Sequence, residues 1–390
     1  MISEFHIDIG EAELAALRRR LVDVRWPDRL DGARWEFGTD LEFLQELHAY
    51  WLEAYDWRRE EQRLNSLSHH KFLRNGSSVH FIHQVGKGLN PLPLIMTHGW
   101  PGSFVEMQKI IPLLTDPGAH GGDPADAFSL VVPSIPGHGF SDRPTKPGTN
   151  VFAVADIWAD LMTALGYDRF GAQGGDWGSW ISSALGLRHA DRLIGLHLNY
   201  VSTGFRPDLN PGTPPLAEEE VAYLDRVAKW REAEGAYIAI QGTKPQTLAY
   251  GLTDSPIGLA AWLIEKFQGW SDSKQRPDET LTQDELLTNV MIHWLTNTVH
   301  SSFRFYSEAR ACPLHLQPGQ RILPPCGIVR LPRELPMPPR RWVERAFNLT
   351  HWTTLPRGGH FAAMEAPELL AEDIRAFFRP LRAAAGNRFS

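Results

Sequence analysis

Gly174-Gly175-Asp176-Trp177-Gly178 follows the short apolar run Arg169 to Gln173 and precedes a helical pattern from Ser179 to His189. A G-x-nucleophile-x-G turn joins strand to helix so sharply that the central side chain stands clear of the sheet. Glycines flank it because strand and helix pass too close for a Cβ and the turn needs permissive backbone angles. The central residue here is an aspartate where serine usually sits. A carboxylate in that place can attack an electrophilic carbon and form a covalent ester. The plainer alternative is a glycine-rich turn whose aspartate caps the next helix. The partners of Asp176 decide between the two.

His98-Gly99-Trp100-Pro101-Gly102-Ser103 follows the apolar run Leu92 to Thr97. In the α/β-hydrolase fold, to which such a turn points, the loop at this place gives one backbone N–H to an oxyanion hole. The residue after the nucleophile gives the other. The expected donors are Trp100 and Trp177, with Trp100, Pro101 and Trp177 lining the substrate pocket. Gly358-Gly359-His360-Phe361 lies between the last apolar run and a closing helix from Pro367 to Leu381, where this fold carries its base. The acid that orients this histidine should follow the preceding strand. Glu334, within Arg330 to Leu335, fits that place and would hold the imidazole tautomer. A carboxylate from another strand is the alternative. Among 16 histidines most are core or surface residues, and His360 is set apart by its position. His138, in the turn cluster Ser134 to Ser141, is read as structural.

The elements that must position these residues are legible in the apolar patterning. Val79 to His83 alternates like a strand, and Leu92 to Thr97, Leu130 to Pro133 and Leu193 to Val201 are continuous apolar runs. Such runs separated by helical stretches, among them Val151 to Leu165, indicate a buried, mostly parallel sheet flanked by helices. Residues 79–203 are therefore read as the first part of an α/β core, and 311–390, with strands at Ile328-Val329 and Asn348 to Leu355, as the second. Between them, 204–310 has helical texture, opened by the proline-rich Arg206 to Pro215, and is expected to cap the active edge. Residues 1–78 are expected to form a helical lead-in that wraps the core. Leu14, Leu17 and Leu21 share one helix face, as do Leu41, Leu44, Leu47 and Tyr50.

The chain has 390 residues, 43% hydrophobic and 22% charged, ordinary values for a globular protein. A net charge of -7 offers no basic surface for nucleic acid or anionic membrane. Two cysteines, Cys312 and Cys326, are too few for a disulfide framework and suit a reducing compartment. With no apolar run of membrane-spanning length and no basic leader, a cytoplasmic protein without a membrane anchor is expected. A homodimer is compatible with all of this.

Taken together, HGWPGS, GGDWG and GGHFA, with Trp26-Pro27 in the lead-in, resemble the epoxide hydrolases of the α/β-hydrolase superfamily, most closely the microsomal-type branch. The resemblance covers nearly the whole chain. Arg330 and Leu331 stand where relatives tend to be apolar and aromatic. It implies a soluble bacterial-type member that needs no metal or organic cofactor and whose partners are a small-molecule epoxide and water. It also implies two cap tyrosines that donate hydrogen bonds to the epoxide oxygen. Tyr237 in Gly235 to Gln241 and Tyr306 in Ser302 to Tyr306 match those positions. For each of eight tyrosines, a half-buried packing role is the ordinary alternative. The implied reaction gives a vicinal diol through an ester on Asp176, hydrolysed by water that His360 activates. Fourteen tryptophans suit an apolar or aryl epoxide. A haloalkane dehalogenase, which shares the aspartate, is the nearest alternative, and a catalytically silent fold is another. Detoxification and secondary metabolism are both roles that such relatives serve.

Overall fold

The computed structural model describes residues 1–386 apart from 206, 208 and 210–213, with side chains through 382. Part of the proline-rich opening of the cap, Arg206 to Pro215, therefore lies outside the described residues. Nine strands form one sheet: β1 (Ile2–Glu4), β2 (His69–Arg74), β3 (Ser77–Gln84), β4 (Leu92–Thr97), β5 (Phe128–Pro133), β6 (Phe170–Gly174), β7 (Leu193–Leu198), β8 (Ile322–Arg330) and β9 (Phe347–Thr354). Their order is β1-β2-β3-β5-β4-β6-β7-β8-β9. Pairings from β5 through β9 are parallel, whereas β1, β2 and β3 add antiparallel strands at one edge. The central strands are buried on both faces, as their continuous apolar runs require.

The helices are α1 (Glu11–Val22), α2 (Leu41–Glu53), α3 (Trp57–Leu64), α4 (Ile110–Thr115), α5 (Val151–Ala164), α6 (Asp176–Arg188), α7 (Glu218–Glu234), α8 (Ala236–Thr243), α9 (Pro245–Asp254), α10 (Pro256–Trp270), α11 (Gln283–Leu295), α12 (Val299–Ala311), α13 (Arg340–Glu344), α14 (Ala362–Glu365) and α15 (Pro367–Gly386). Between β7 and β8 the described residues contain α7 to α12 and no strand, which is the helical segment expected over 204–310. No described helix is long and apolar enough to cross a membrane. Both cysteines are free.

Residues 1–78 depart from the expected helical lead-in. They carry α1, α2 and α3, but they also supply β1 and β2. The register Arg74↔Ser77 leaves a two-residue loop, Asn75-Gly76, with φ of 50° and 78°. That is the Asn-Gly hairpin turn whose positive angles match the twist of the flanking strands. His69, His70 and Lys71 obscure the strand because their polar side chains break the apolar alternation. His69 is nonetheless buried, with Nδ1 2.8 Å from His80 Nε2 and Nε2 2.8 Å from the Leu64 carbonyl. Ile7, Leu17, Leu21, Phe43 and Leu47 belong to the same continuous core as the sheet.

Candidate active site

The strand β6 runs directly into α6, and Asp176 is the first residue of that helix, earlier than the start expected at Ser179. Asp176 has φ of 43°, a left-handed conformation costly for a residue with a Cβ. Crowding explains the glycines. A Cβ on Gly178 would lie 2.0 Å from the Thr97 carbonyl oxygen, and one on Gly99 would lie 2.3 Å from the Asp176 Cβ. The strained turn thus carries the carboxylate against the loop after β4.

There the backbone N–H of Trp100 donates to Asp176 Oδ1 at 2.9 Å. The Trp177 N–H lies in the first turn of α6, where helix geometry leaves amides without intrahelical acceptors. On the other side, Asp176 Oδ2 is 3.5 Å from His360 Nε2. His360 Nδ1 in turn lies 2.6 Å from Glu334 Oε1. Glu334 and His360 are brought together by a bridge between their loops, in which the Arg333 N–H donates to the Gly358 carbonyl at 3.2 Å. Three side chains from separate loops thus form one line, carboxylate, imidazole, carboxylate.

Burial opposes charge on His360, but Glu334 and Asp176 outweigh it and hold the imidazole well above its usual pKa. Tyr237 on α8 and Tyr306 on α12 are buried, 5% and 7% exposed. Tyr237 stacks on Trp100 with ring centroids 5.4 Å apart, and Tyr306 meets Trp177 edge-on at 4.8 Å. The two tyrosine rings are 5.9 Å apart. Burial raises both phenols well above their usual pKa, the Asp176 charge adds to it, and both stay protonated near neutrality.

A cavity of about 20 Å³, room for one water, lies beside the carboxylate, and Gly99, Trp100, Glu106, Gln173, Asn199 and His360 are in its wall. Of the three residues expected to line the pocket, Trp100 does line this cavity. Pro101 and Trp177 are not in its wall. The Pro101 carbonyl instead accepts from Asn289 Nδ2 at 2.8 Å, and His293 Nε2 lies 2.9 Å from it, both from α11. Trp177 packs on Phe305 and Tyr306. His138, read as structural, is fully buried within the loop after β5 and burial pushes its pKa far down.

Several neighbours of the site were not foreseen. Glu106 follows the loop after β4 in a short helical turn, Phe104–Met107, that folds its carboxylate back over Gly102. Desolvation pushes the Glu106 carboxyl up to about 7. Glu365 accepts from the Gly359 and Phe361 N–H groups at 3.1 and 3.0 Å, gripping the loop on both sides of His360. The Trp270 carbonyl, at the end of α10, accepts the His360 N–H at 2.8 Å. The spacing of Glu106 within HGWPGSFVE was available as a signal. The others depend on tertiary contacts and leave no local pattern.

Comparison with known proteins identifies the family. Residues 2–107 match the family model described as "Epoxide hydrolase N terminus", and residues 93–232 match "alpha/beta hydrolase fold". A putative epoxide hydrolase of Stigmatella aurantiaca is 44% identical over 98% of this chain and 86% of its own length. Epoxide hydrolase 1 of Oryctolagus cuniculus is 36% identical over 96% of this chain and 88% of its own. The crystal structure of juvenile hormone epoxide hydrolase from Bombyx mori superposes with a TM-score of 0.87 at 30% identity, covering 99% of this chain and 96% of that one. The Aspergillus niger epoxide hydrolase structure gives 0.85 at 31% identity over 98% and 97%. With identity of this level sustained over nearly the full length, the chain belongs to the epoxide hydrolase family and is an enzyme of the α/β-hydrolase fold.

Proposed function

We propose that the enzyme opens an apolar or aryl epoxide by attack of Asp176 on a ring carbon, then hydrolyses the resulting ester to a vicinal diol. The observation that carries the reading is the Asp176 carboxylate itself, held by the Trp100 N–H on one oxygen and facing His360 with the other. As the new C–O bond forms and the ring C–O bond breaks, the electron pair left on the ring oxygen takes the proton of Tyr237. Tyr306 donates the second hydrogen bond. An opening alkoxide is a poor leaving group, so such an acid is needed.

Ester formation removes the charge of Asp176. One of the two carboxylates that keep His360 protonated is then gone, and the imidazole pKa falls. The His360 proton restores the Tyr237 phenol, and the neutral imidazole takes a proton from water in the cavity beside Glu106. Hydroxide attacks the ester carbonyl while the Trp100 and Trp177 N–H groups receive the oxyanion. Collapse expels the diol oxygen, which is protonated by His360. The Asp176 acid so formed returns its proton to His360 and closes the cycle. Glu334 orients the imidazole throughout.

The aromatic surroundings of the carboxylate, Trp100, Trp177, Trp270 and Phe303 among them, support an apolar or aryl substrate. Release of halide needs N–H donors and no acid, so the two buried phenols favour the epoxide over a haloalkane. One turnover in isotopically labelled water provides the test. The label is expected in the Asp176 carboxylate, and a labelled diol with an unlabelled Asp176 would rule the ester out.

A further inference from the structure

Lys266 lies on α10 with only 7% of its side chain exposed. Removing an ammonium from water to that extent is costly unless its surroundings compensate. Among the described residues its ion-pair partner is Glu265 at 2.5 Å, which is itself 26% exposed. Two aromatic rings also face it. Its Nζ stands 4.7 Å from the centroid of the Tyr237 ring and 5.8 Å from that of Trp270.

We propose that Lys266 is a positioning residue for ring opening, its ammonium seated over the Tyr237 ring so that the phenol becomes a stronger acid as it yields its proton. This rests on Tyr237 as the proton donor to the epoxide oxygen. A neutral phenol draws the cation only through the quadrupole of its ring. The phenolate that develops during ring opening spreads negative charge into that ring, and the same cation at the same distance then acts on a charge. The contact therefore strengthens along the reaction coordinate, and only interactions that do so accelerate a chemical step. Stacking on Trp100, with an interplanar angle of 11°, holds the ring in place while this happens. No proton leaves Lys266 at any stage.

A purely structural lysine would affect folding and both half-reactions alike, and that contrast gives the test. Ester formation and ester hydrolysis are timed separately by rapid quenching and intact-protein mass spectrometry, with styrene oxide as the probe. Lys266→Met is expected to slow ester formation about tenfold and to leave ester hydrolysis within about twofold. Lys266→Arg, which keeps the charge, should recover most of that loss. In a Tyr237→Phe background, Lys266→Met should add less than about twofold, because no phenolate forms there. Unchanged ester formation, equal slowing of both half-reactions, or the full tenfold loss without the Tyr237 hydroxyl would each overturn the proposal. Lys266→Gln gives the same contrast should the methionine variant not fold. Absence of any ester on the unaltered enzyme is a separate outcome, one that removes the aspartate mechanism and this proposal with it.

Discussion

At the scale of the residue, His360 has carboxylates on both ring nitrogens, Glu334 at 2.6 Å and Asp176 at 3.5 Å. In the proposed mechanism its charge is therefore tied to the state of Asp176. Ester formation needs Asp176 ionised, which favours the protonated imidazole; ester hydrolysis needs the imidazole neutral. Acidification should therefore slow hydrolysis first, as pH falls through the imidazole pKa of the esterified enzyme, while attack continues. Quenched samples taken during steady turnover are expected to hold more alkyl-enzyme at mildly acid pH than at neutral pH. A constant proportion of ester across that range would contradict the coupling. Asp176 and His360 were legible in the sequence because elbow and GGHFA have fixed places along the chain. Glu365 and Lys266 were not, since an ordinary helical glutamate or lysine acquires meaning only from what the fold packs against it.

At the scale of the element, the loop after β4 is held by α11. Its Pro101 carbonyl accepts from Asn289 and faces His293 Nε2, while Ser103 Oγ donates to Asn289 Oδ1 at 2.9 Å. Burial pushes both His98 and His293 down to about 4, so they stay neutral and keep fixed hydrogen-bonding roles near neutrality. A helix of the segment between β7 and β8 thereby sets the height of the Trp100 N–H. Asn289→Ala leaves the Ser103 hydroxyl without its acceptor and the Pro101 carbonyl short of a donor. It is expected to cost about 1–3 kcal/mol of stability in chemical denaturation. Both half-reactions of the proposed mechanism should slow, because in it the Trp100 amide touches the ground-state carboxylate and the later oxyanion alike. The parallel strands and the helices between β7 and β8 could be anticipated, for continuous apolar runs and helical periods are local signals. β2 could not be found from apolar alternation, because its inward-facing His69 is satisfied by hydrogen bonds that exist only in the folded sheet. The Asn75-Gly76 turn was the local clue to it.

At the scale of the whole molecule, the far side of the sheet is pinned to α15 by Asp373. Its Oδ2 lies 2.9 Å from His197 Nε2 and its Oδ1 2.9 Å from His351 Nε2, tying β7 and β9 to the closing helix. Burial works against the carboxylate, but the two imidazoles outweigh it and hold Asp373 below the usual range. A carboxylate depressed on folding contributes stability that is present above the unfolded value near 4 and is lost as pH falls through the folded one. Asp373→Asn is therefore expected to lose about 2 kcal/mol at neutral pH and to show a shallower decline of thermal stability in acid. Equal acid sensitivity in both proteins would remove Asp373 from the account. In the proposed mechanism Trp100 and Trp177, in the turns that follow β4 and β6, flank a negative charge that disappears and returns once per catalytic cycle. Indole emission responds to a charge so close by, and the enzyme thus carries its own light source beside the reacting bond. The proposed covalent and hydrolytic phases are expected to be visible in that emission without dye, label or chromogenic substrate.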